Sequence, residues 1–417
     1  MEKIVVNGGV PLEGTVSVHG AKNAVLPILA ATVLARGVHT IFNCPNLSDV
    51  ATTIDILTCL GAKVQRTEDA LVIDTRGELS CFIPENLMRK LRSSVIFMGA
   101  VLARCRQAKI STPGGCELGP RPIDLHIKAL TQLGAEVREE HGYLFLKADH
   151  LVGRTIHLDF PSVGATENLM LAACEAKGET VILNAAREPE ITDLALFLNK
   201  MGARVTGAGT STIKILGKRP LCATQYTIMP DRIVAATYLC AAAATGGRVE
   251  TTNVCPEHLS AVLSVLEDCG CEIEKKETSV TLVAPKKLIA PGAIRTMPYP
   301  GFPTDAQSLF LAMLSKAEGT SIITETIFES RFKPAGELCR MGAKINVNGR
   351  VAVICGVDTL SGTCVTAADL RGGAALLIAA LSANGTTEIF SPNYIDRGYE
   401  NFEYHLSALG ADIKRYR

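Results

Sequence analysis

The sequence predicts an α/β chain (α+β in its mixed pairing) of two domains, each made of three βαβαββ repeats. Three observations predict it. The chain has 417 residues, 47% hydrophobic and 20% charged, long enough for two or three domains with cores and too apolar for a disordered or fibrous protein. A short phrase recurs six times: an apolar or sulfur-bearing residue, glycine, a small residue, a charged one, then Val or Ile. Its glycines are Gly61, Gly134, Gly202, Gly270, Gly342 and Gly410, spaced 68 to 73 residues apart, a repeat signature. A second phrase interleaves with it, an Ala-rich helix that ends in a turn at Gly37, Gln107, Gly178, Gly247, Gly319 or Gly385.

Each element follows from a local pattern. The segment before a first-phrase glycine is an amphipathic helix, as in Leu125 to Leu133, where Leu125, Ala129, Leu130 and Leu133 recur at helical spacing. The glycine takes the left-handed position that ends a helix. An alternating strand follows and turns into a second one, such as Tyr143 to Leu146. The Ala-rich helices lack a polar face and belong in the interior. Six units exceed one core, so three plus three is the natural division. The expected boundary lies within 221–231, giving a domain of 21–230 and a second of 1–20 plus 231–417. The strand Lys3 to Val6 then pairs with the last unit, and the chain crosses between domains twice.

Composition narrows function. Forty-two Lys and Arg against 42 Asp and Glu give zero net charge, which argues against a general nucleic-acid binder. The opening Met1 to Gly9 does not resemble a signal peptide. The apolar runs 24–35 and 235–244 are too short for a bilayer. A soluble, cytoplasmic protein is expected. Fourteen cysteines without a Cys-x-x-Cys pair read as mostly buried thiols in a reducing compartment. No His or Cys cluster has zinc-ligand spacing, so no structural metal is expected.

Counting back 14 or 15 residues from the second-phrase turn gives Lys22, Arg92, Arg232, Asp305 and Arg371. Five of six interior helices therefore start on a charge; the sixth starts at Val163-Gly164-Ala165. Cations at helix N-termini oppose the helix dipole, so this placement calls for an anionic ligand shared by side chains and backbone N–H groups. The bland alternative is a set of solvated charges. For Asp305, Thr304 with Gln307 resembles a capping box, which would make it first-turn decoration; the sharper reading is a general base. The loop 111–122 holds three glycines, three prolines and Cys116. Beside Arg121 that thiol can act as acid or nucleophile, or it can be an inert loop cysteine. Arg187, Arg331 and Arg397 each follow a strand and precede the outer helix. His126 reads as a packing residue.

Taken together, these motifs resemble the enolpyruvyl transferases that act on UDP-N-acetylglucosamine. Gly20-Ala21-Lys22-Asn23-Ala24, Pro113 to Cys116, Arg121 to His126, Ser162 to Thr166, Ala186 to Glu190, Phe302 to Asp305, Asp369 to Arg371 and Ile395 to Tyr399 carry the resemblance in order along the whole chain. It implies a two-domain inside-out α/β barrel with the active site in the cleft between the domains. It also implies transfer of the enolpyruvyl group of phosphoenolpyruvate to the 3′-hydroxyl of UDP-N-acetylglucosamine, with release of phosphate, at the start of peptidoglycan synthesis. Neither metal nor organic cofactor is implied, and no oligomer is required. By resemblance Cys116 is the acid, Asp305 accepts the hydroxyl proton, and Lys22 and Arg397 complete the catalytic set. Phosphoenolpyruvate falls to Lys22, Asn23, Arg92, Arg121, Arg371 and Arg397. The nucleotide sugar falls to Asn23, Arg92, Arg121, Pro122, Ile123, Asp124, Leu125, Ser162, Val163, Gly164, Asp305, Ile327 and Arg331. Thr112, Pro120 and Ser330 depart from the family pattern, and Gly372-Gly373 loosens the last interior helix. The alternatives are the sister activity on shikimate 3-phosphate and a non-catalytic UDP-sugar-binding paralogue.

Overall fold

The computed structural model describes residues 2–111 and 123–417, apart from the Arg92 side chain. All six first-phrase glycines have left-handed backbones, with φ between 89° and 107°, a conformation that costs little only without a Cβ. Each ends an outer helix and sends the chain into an antiparallel strand pair. Among the described residues there are six sheets of four strands, all with one plan. The first strand pairs parallel with the second, which in four of the six follows it across an inner helix; the second pairs antiparallel with the fourth, and the fourth with the third. In one sheet Ile156, Ile182 and Ile213 stand in a single cross-strand row, all three buried. The βαβαββ plan is therefore real.

Two compact units divide the chain. The first comprises 20–111 and 123–229. Its inner helices are α1 (Lys22–Ala31), α2 (Phe97–Cys105, entered through a 3-10 turn Arg92–Ile96) and α3 (Val163–Ala173). The second comprises 2–19 and 230–417, with α4 (Arg232–Thr245), α5 (Thr304–Leu314) and α6 (Leu370–Ser382) packed on one another. These helices are apolar all round: every residue of α6 is buried. Each unit has its own apolar core.

Two strand exchanges place the crossings. Glu13–Ser17 lies parallel to Arg248–Thr252 in the second unit and then leads into α1 of the first. Gln225–Thr227 lies parallel to Val38–Phe42 in the first unit and leads into α4 of the second. The N-terminal strand Lys3–Asn7 fills the fourth place of the last sheet, between Thr386–Phe390 and Asp412–Tyr416. It thus completes a repeat that begins near residue 364.

No helix among the described residues is long and apolar enough to cross a membrane. The cysteines correct one expectation. Of the thirteen described, only Cys174, Cys240, Cys269 and Cys271 are buried; Cys59, Cys222, Cys339, Cys355 and Cys364 are exposed. Outer helices and alternating strands keep one face in solvent, and several thiols lie on that face.

Candidate functional site

The charged residues counted from the sequence all stand at the first or second position of an inner helix or its entry turn: Lys22, Arg92, Arg232, Asp305 and Arg371. In the first unit Lys22 is mostly buried, and its Nζ lies 2.7 Å from Oδ2 of Asp49, a residue in the first turn of the helix Ser48–Cys59. Asn23 follows it, half-buried. Ser162 caps α3 by accepting from the Ala165 N–H. The α3 start also touches the start of the helix Asp124–Gln132. A Cβ on Gly164 would fall 2.9 Å from Cε1 of His126, so only glycine fits there. His126 is buried, 2.8 Å from the Asn168 side chain. Asn168 in turn accepts from the Gly99 N–H and donates to the Val95 carbonyl, fastening the Arg92–Ile96 turn to α3. Ile123, Asp124 and Leu125 are thereby brought beside Ser162, Val163 and Gly164. Cys116, Arg121 and Pro122 lie outside the described residues.

In the second unit the three inner helices start at one place. Asp305, on α5, is ion-paired with Arg331, whose Nε also donates to the Thr304 carbonyl at 3.2 Å. The other Asp305 oxygen lies 3.4 Å from Nη2 of Arg371, on α6. The Arg331 and Arg371 side chains are 3% and 4% exposed, whereas that of Asp305 is 26% exposed. The carboxylate is the member that reaches solvent. Arg371 continues to the Tyr399 hydroxyl at 3.3 Å, and that hydroxyl lies 2.8 Å from Thr237 of α4. Tyr399 is stacked on Phe402, ring centroids 4.4 Å apart. Burial works against the Arg371 charge, but Asp305, then Tyr399 and Asp231, outweigh it and hold the guanidinium more firmly protonated. Ile327 sits half-buried on the loop that carries Arg331. Arg397 ends a short 3-10 helix, Pro392–Arg397, whose Asp396 is gripped by both terminal nitrogens of Arg415 at 2.9 and 2.6 Å.

The fold changes three details of the sequence reading. The helix-start cations do not stand uncompensated: Lys22 meets Asp49, Arg371 meets Asp305, and Asp231 and Asp369 cap α4 and α6. No capping box forms at α5. The N-cap is Pro303 and makes no side-chain bond; the Thr304 hydroxyl instead donates to Glu325. Gly372-Gly373 does not loosen α6, which runs unbroken. A Cβ at Gly372 would fall 2.9 Å from Oδ2 of Asp369, and one at Gly373 2.8 Å from Cγ1 of Ile395. The pair is small so that the cap and the Arg397 segment can approach. Sequence reading missed Asp49, Thr237 and Glu325. Glu325 had a signal, because it stands where three other repeats carry Asn.

The family model for EPSP synthase (3-phosphoshikimate 1-carboxyvinyltransferase) matches residues 6–406. A protein of Caldanaerobacter subterraneus subsp. tengcongensis named UDP-N-acetylglucosamine 1-carboxyvinyltransferase 2 is 55% identical over 415 residues, covering 100% of both chains. Among solved structures, the enolpyruvyl transferase NikO from Streptomyces tendae superposes with a TM-score of 0.90 at 25% identity, covering 99% of this chain and 98% of its own. An EPSP synthase from Acinetobacter baumannii reaches 0.76 at 18% identity over the whole of both chains, a likeness of fold.

Proposed function

Because the chain belongs to the EPSP synthase family, we propose that it transfers the enolpyruvyl group of phosphoenolpyruvate to the 3′-hydroxyl of UDP-N-acetylglucosamine. The observation that carries this reading is Asp305, a carboxylate open to solvent on one side and held by two buried guanidiniums at the start of α5. Such a group is placed to take a proton from a hydroxyl while the neighbouring cations meet an anionic substrate. The choice of acceptor follows the full-length relative of 55% identity.

The step is an addition followed by an elimination. The sugar oxygen bonds to C2 of phosphoenolpyruvate, its proton passes to Asp305, and Cys116 delivers a proton to the vinyl carbon. The tetrahedral intermediate then loses a proton from that carbon, and the C–O bond to phosphate breaks. Lys22, Arg92, Arg121, Arg371 and Arg397, with Asn23, hold the phosphate and carboxylate. Ile123, Asp124, Leu125, Ser162, Val163, Gly164, Ile327 and Arg331, with Pro122, face the nucleotide sugar. On this reading the chain works in the cytoplasm at the first committed step of peptidoglycan synthesis, and fosfomycin-type epoxides alkylate Cys116.

The test is phosphate release from phosphoenolpyruvate with UDP-N-acetylglucosamine and shikimate 3-phosphate supplied separately. Release with the nucleotide sugar alone is expected. Release with shikimate 3-phosphate alone would move the chain to the sister activity. Release with neither, while UDP-N-acetylglucosamine still binds, would make it a sugar-nucleotide binder.

A further inference from the structure

Three of the six repeats share a clamp that the repeat of α5 lacks. Asn43, Asn184 and Asn253 each follow the second strand of a sheet, with φ of 53°, 55° and 54°. Each donates its side-chain amide to the carbonyl of the residue just after the first strand: Ile228 at 2.9 Å, Leu158 at 2.8 Å and Val18 at 2.6 Å. In the sheet that carries α5, the second strand is Thr320–Thr324, and the next residue is Glu325. The equivalent carbonyl, that of Thr296, is met by the Thr326 hydroxyl instead. The clamp has moved by one residue, and position 325 is released for another task.

Glu325 is 1% exposed. Its Oε1 accepts from the Thr296 hydroxyl at 3.0 Å and from the N–H groups of Ile327 and Phe328 at 2.7 and 3.0 Å. Its Oε2 accepts from the Thr304 hydroxyl at 2.9 Å. A buried carboxylate is costly unless its oxygens are filled, and here four donors fill them. Three other repeats close the same joint with neutral Asn, so joining strand to helix does not require a charge. What Glu325 adds is a link between the start of α5 and the loop 327–331. Arg331, from that loop, returns to the Thr304 carbonyl and to Asp305. The connections form a closed ring around the Asp305 carboxylate.

We propose that Glu325 is a positioning residue that holds Asp305, and with it Ile327 and Arg331, in reacting geometry; this role rests on the functional reading above. Displacing a reacting group by about 1 Å can cost on the order of 100-fold in rate. Glu325→Asn, which gives this repeat the residue that three others use, cannot span from Thr304 to the loop. It is expected to lower kcat about 10- to 100-fold, with KM for phosphoenolpyruvate within about twofold. Glu325→Gln keeps one oxygen for Thr296 and the two loop N–H groups and can donate to Thr304, so it should restore kcat to within about fivefold of wild type. In an Asp305→Ala background, Glu325→Asn should cost nothing further, because the two act as one unit. Wild-type kcat in Glu325→Asn, or full additivity with Asp305→Ala, overturns the role while leaving the activity standing. Should Glu325→Asn fail to fold, Thr304→Val removes one bond of the four; a several-fold fall in kcat supports the role, and an unchanged kcat overturns it. A wild-type protein without turnover on UDP-N-acetylglucosamine overturns both readings.

Discussion

Asp305 joins two duties in one side chain. It neutralises two guanidiniums that burial would otherwise penalise, and it presents a carboxylate to solvent. Replacing it with Ala removes both. Stability should fall, by less than the roughly 3–5 kcal/mol of a fully buried broken pair, because the Asp305 side chain keeps 26% exposure. Turnover should fall further, by about 10²–10⁴, the usual worth of a general base, with UDP-N-acetylglucosamine still bound. Steady-state rates, nucleotide-sugar binding and a melting curve on one preparation check this. A variant that melts normally and turns over normally would remove Asp305 from both duties. Part of this residue-level picture is legible in sequence. The repeat counts Asp305 to a helix start, since a helix apolar all round can be aligned from its closing turn. What it cannot show is where the Thr304 hydroxyl goes. Locally Thr304 and Gln307 read as a capping box, whereas in the fold a carboxylate twenty-one residues away takes that hydroxyl.

At the scale of elements, the strand Val38–Phe42 carries a titrating group into the core. His39 is wholly buried, and burial pushes its pKa down to about 4, against the opposing pull of the Thr32 and Ala35 backbones. In the unfolded chain it titrates near 6.5. The unfolded state therefore binds the proton first as pH falls. Stability from this group is complete above pH 6.5 and declines towards pH 4, by about 3 kcal/mol in all. Asp193 runs the other way. Burial raises its pKa to about 6, although the Tyr226 hydroxyl and the Met229 N–H bond to it. The folded state then takes up a proton between pH 6 and 4, and stability rises as pH falls. The two slopes partly cancel in the wild type. His39→Gln should unmask the Asp193 slope, so urea midpoints between pH 7 and 4.5 should fall less than in the wild type, or rise. Parallel curves for the two proteins would show that His39 carries no such linkage. Neither group announces itself in sequence, because a histidine in an alternating strand is indistinguishable there from an exposed one until the pairing register places it.

For the whole molecule, six similar units account for both the order of the fold and its closure. The glycine phrase makes the period legible, because only glycine adopts φ near 100° at little cost. The strand exchanges at 13–17 and 225–227 are less legible. Each strand belongs by sequence to the helix it precedes and by pairing to a sheet of the other unit. The N-terminal strand shows how far covalent order can be separated from fold. Lys3 stands opposite Tyr416, and Asn7 opposite Asp412, so the two ends of the chain already form the arms of an antiparallel hairpin. Only Arg417 and the first two residues would lie between the arms, a length that tight hairpin loops use. A circular permutant that joins 417 to 1 and opens the chain in the exposed turn at Glu68-Asp69 should fold, because no buried pairing is cut. Deleting residues 1–9 instead removes Ile4 and Val6, both fully buried, together with the strand between two others. Each buried side chain of this kind is worth about 2–5 kcal/mol, so the deletion should unfold the second unit. Melting curves and proteolysis of the two variants discriminate. A permutant that melts within a few degrees of wild type, beside a deletion that does not fold, would show that the last repeat needs the strand itself and not its covalent position. Failure of both would mean that folding depends on the N-terminal strand being made first.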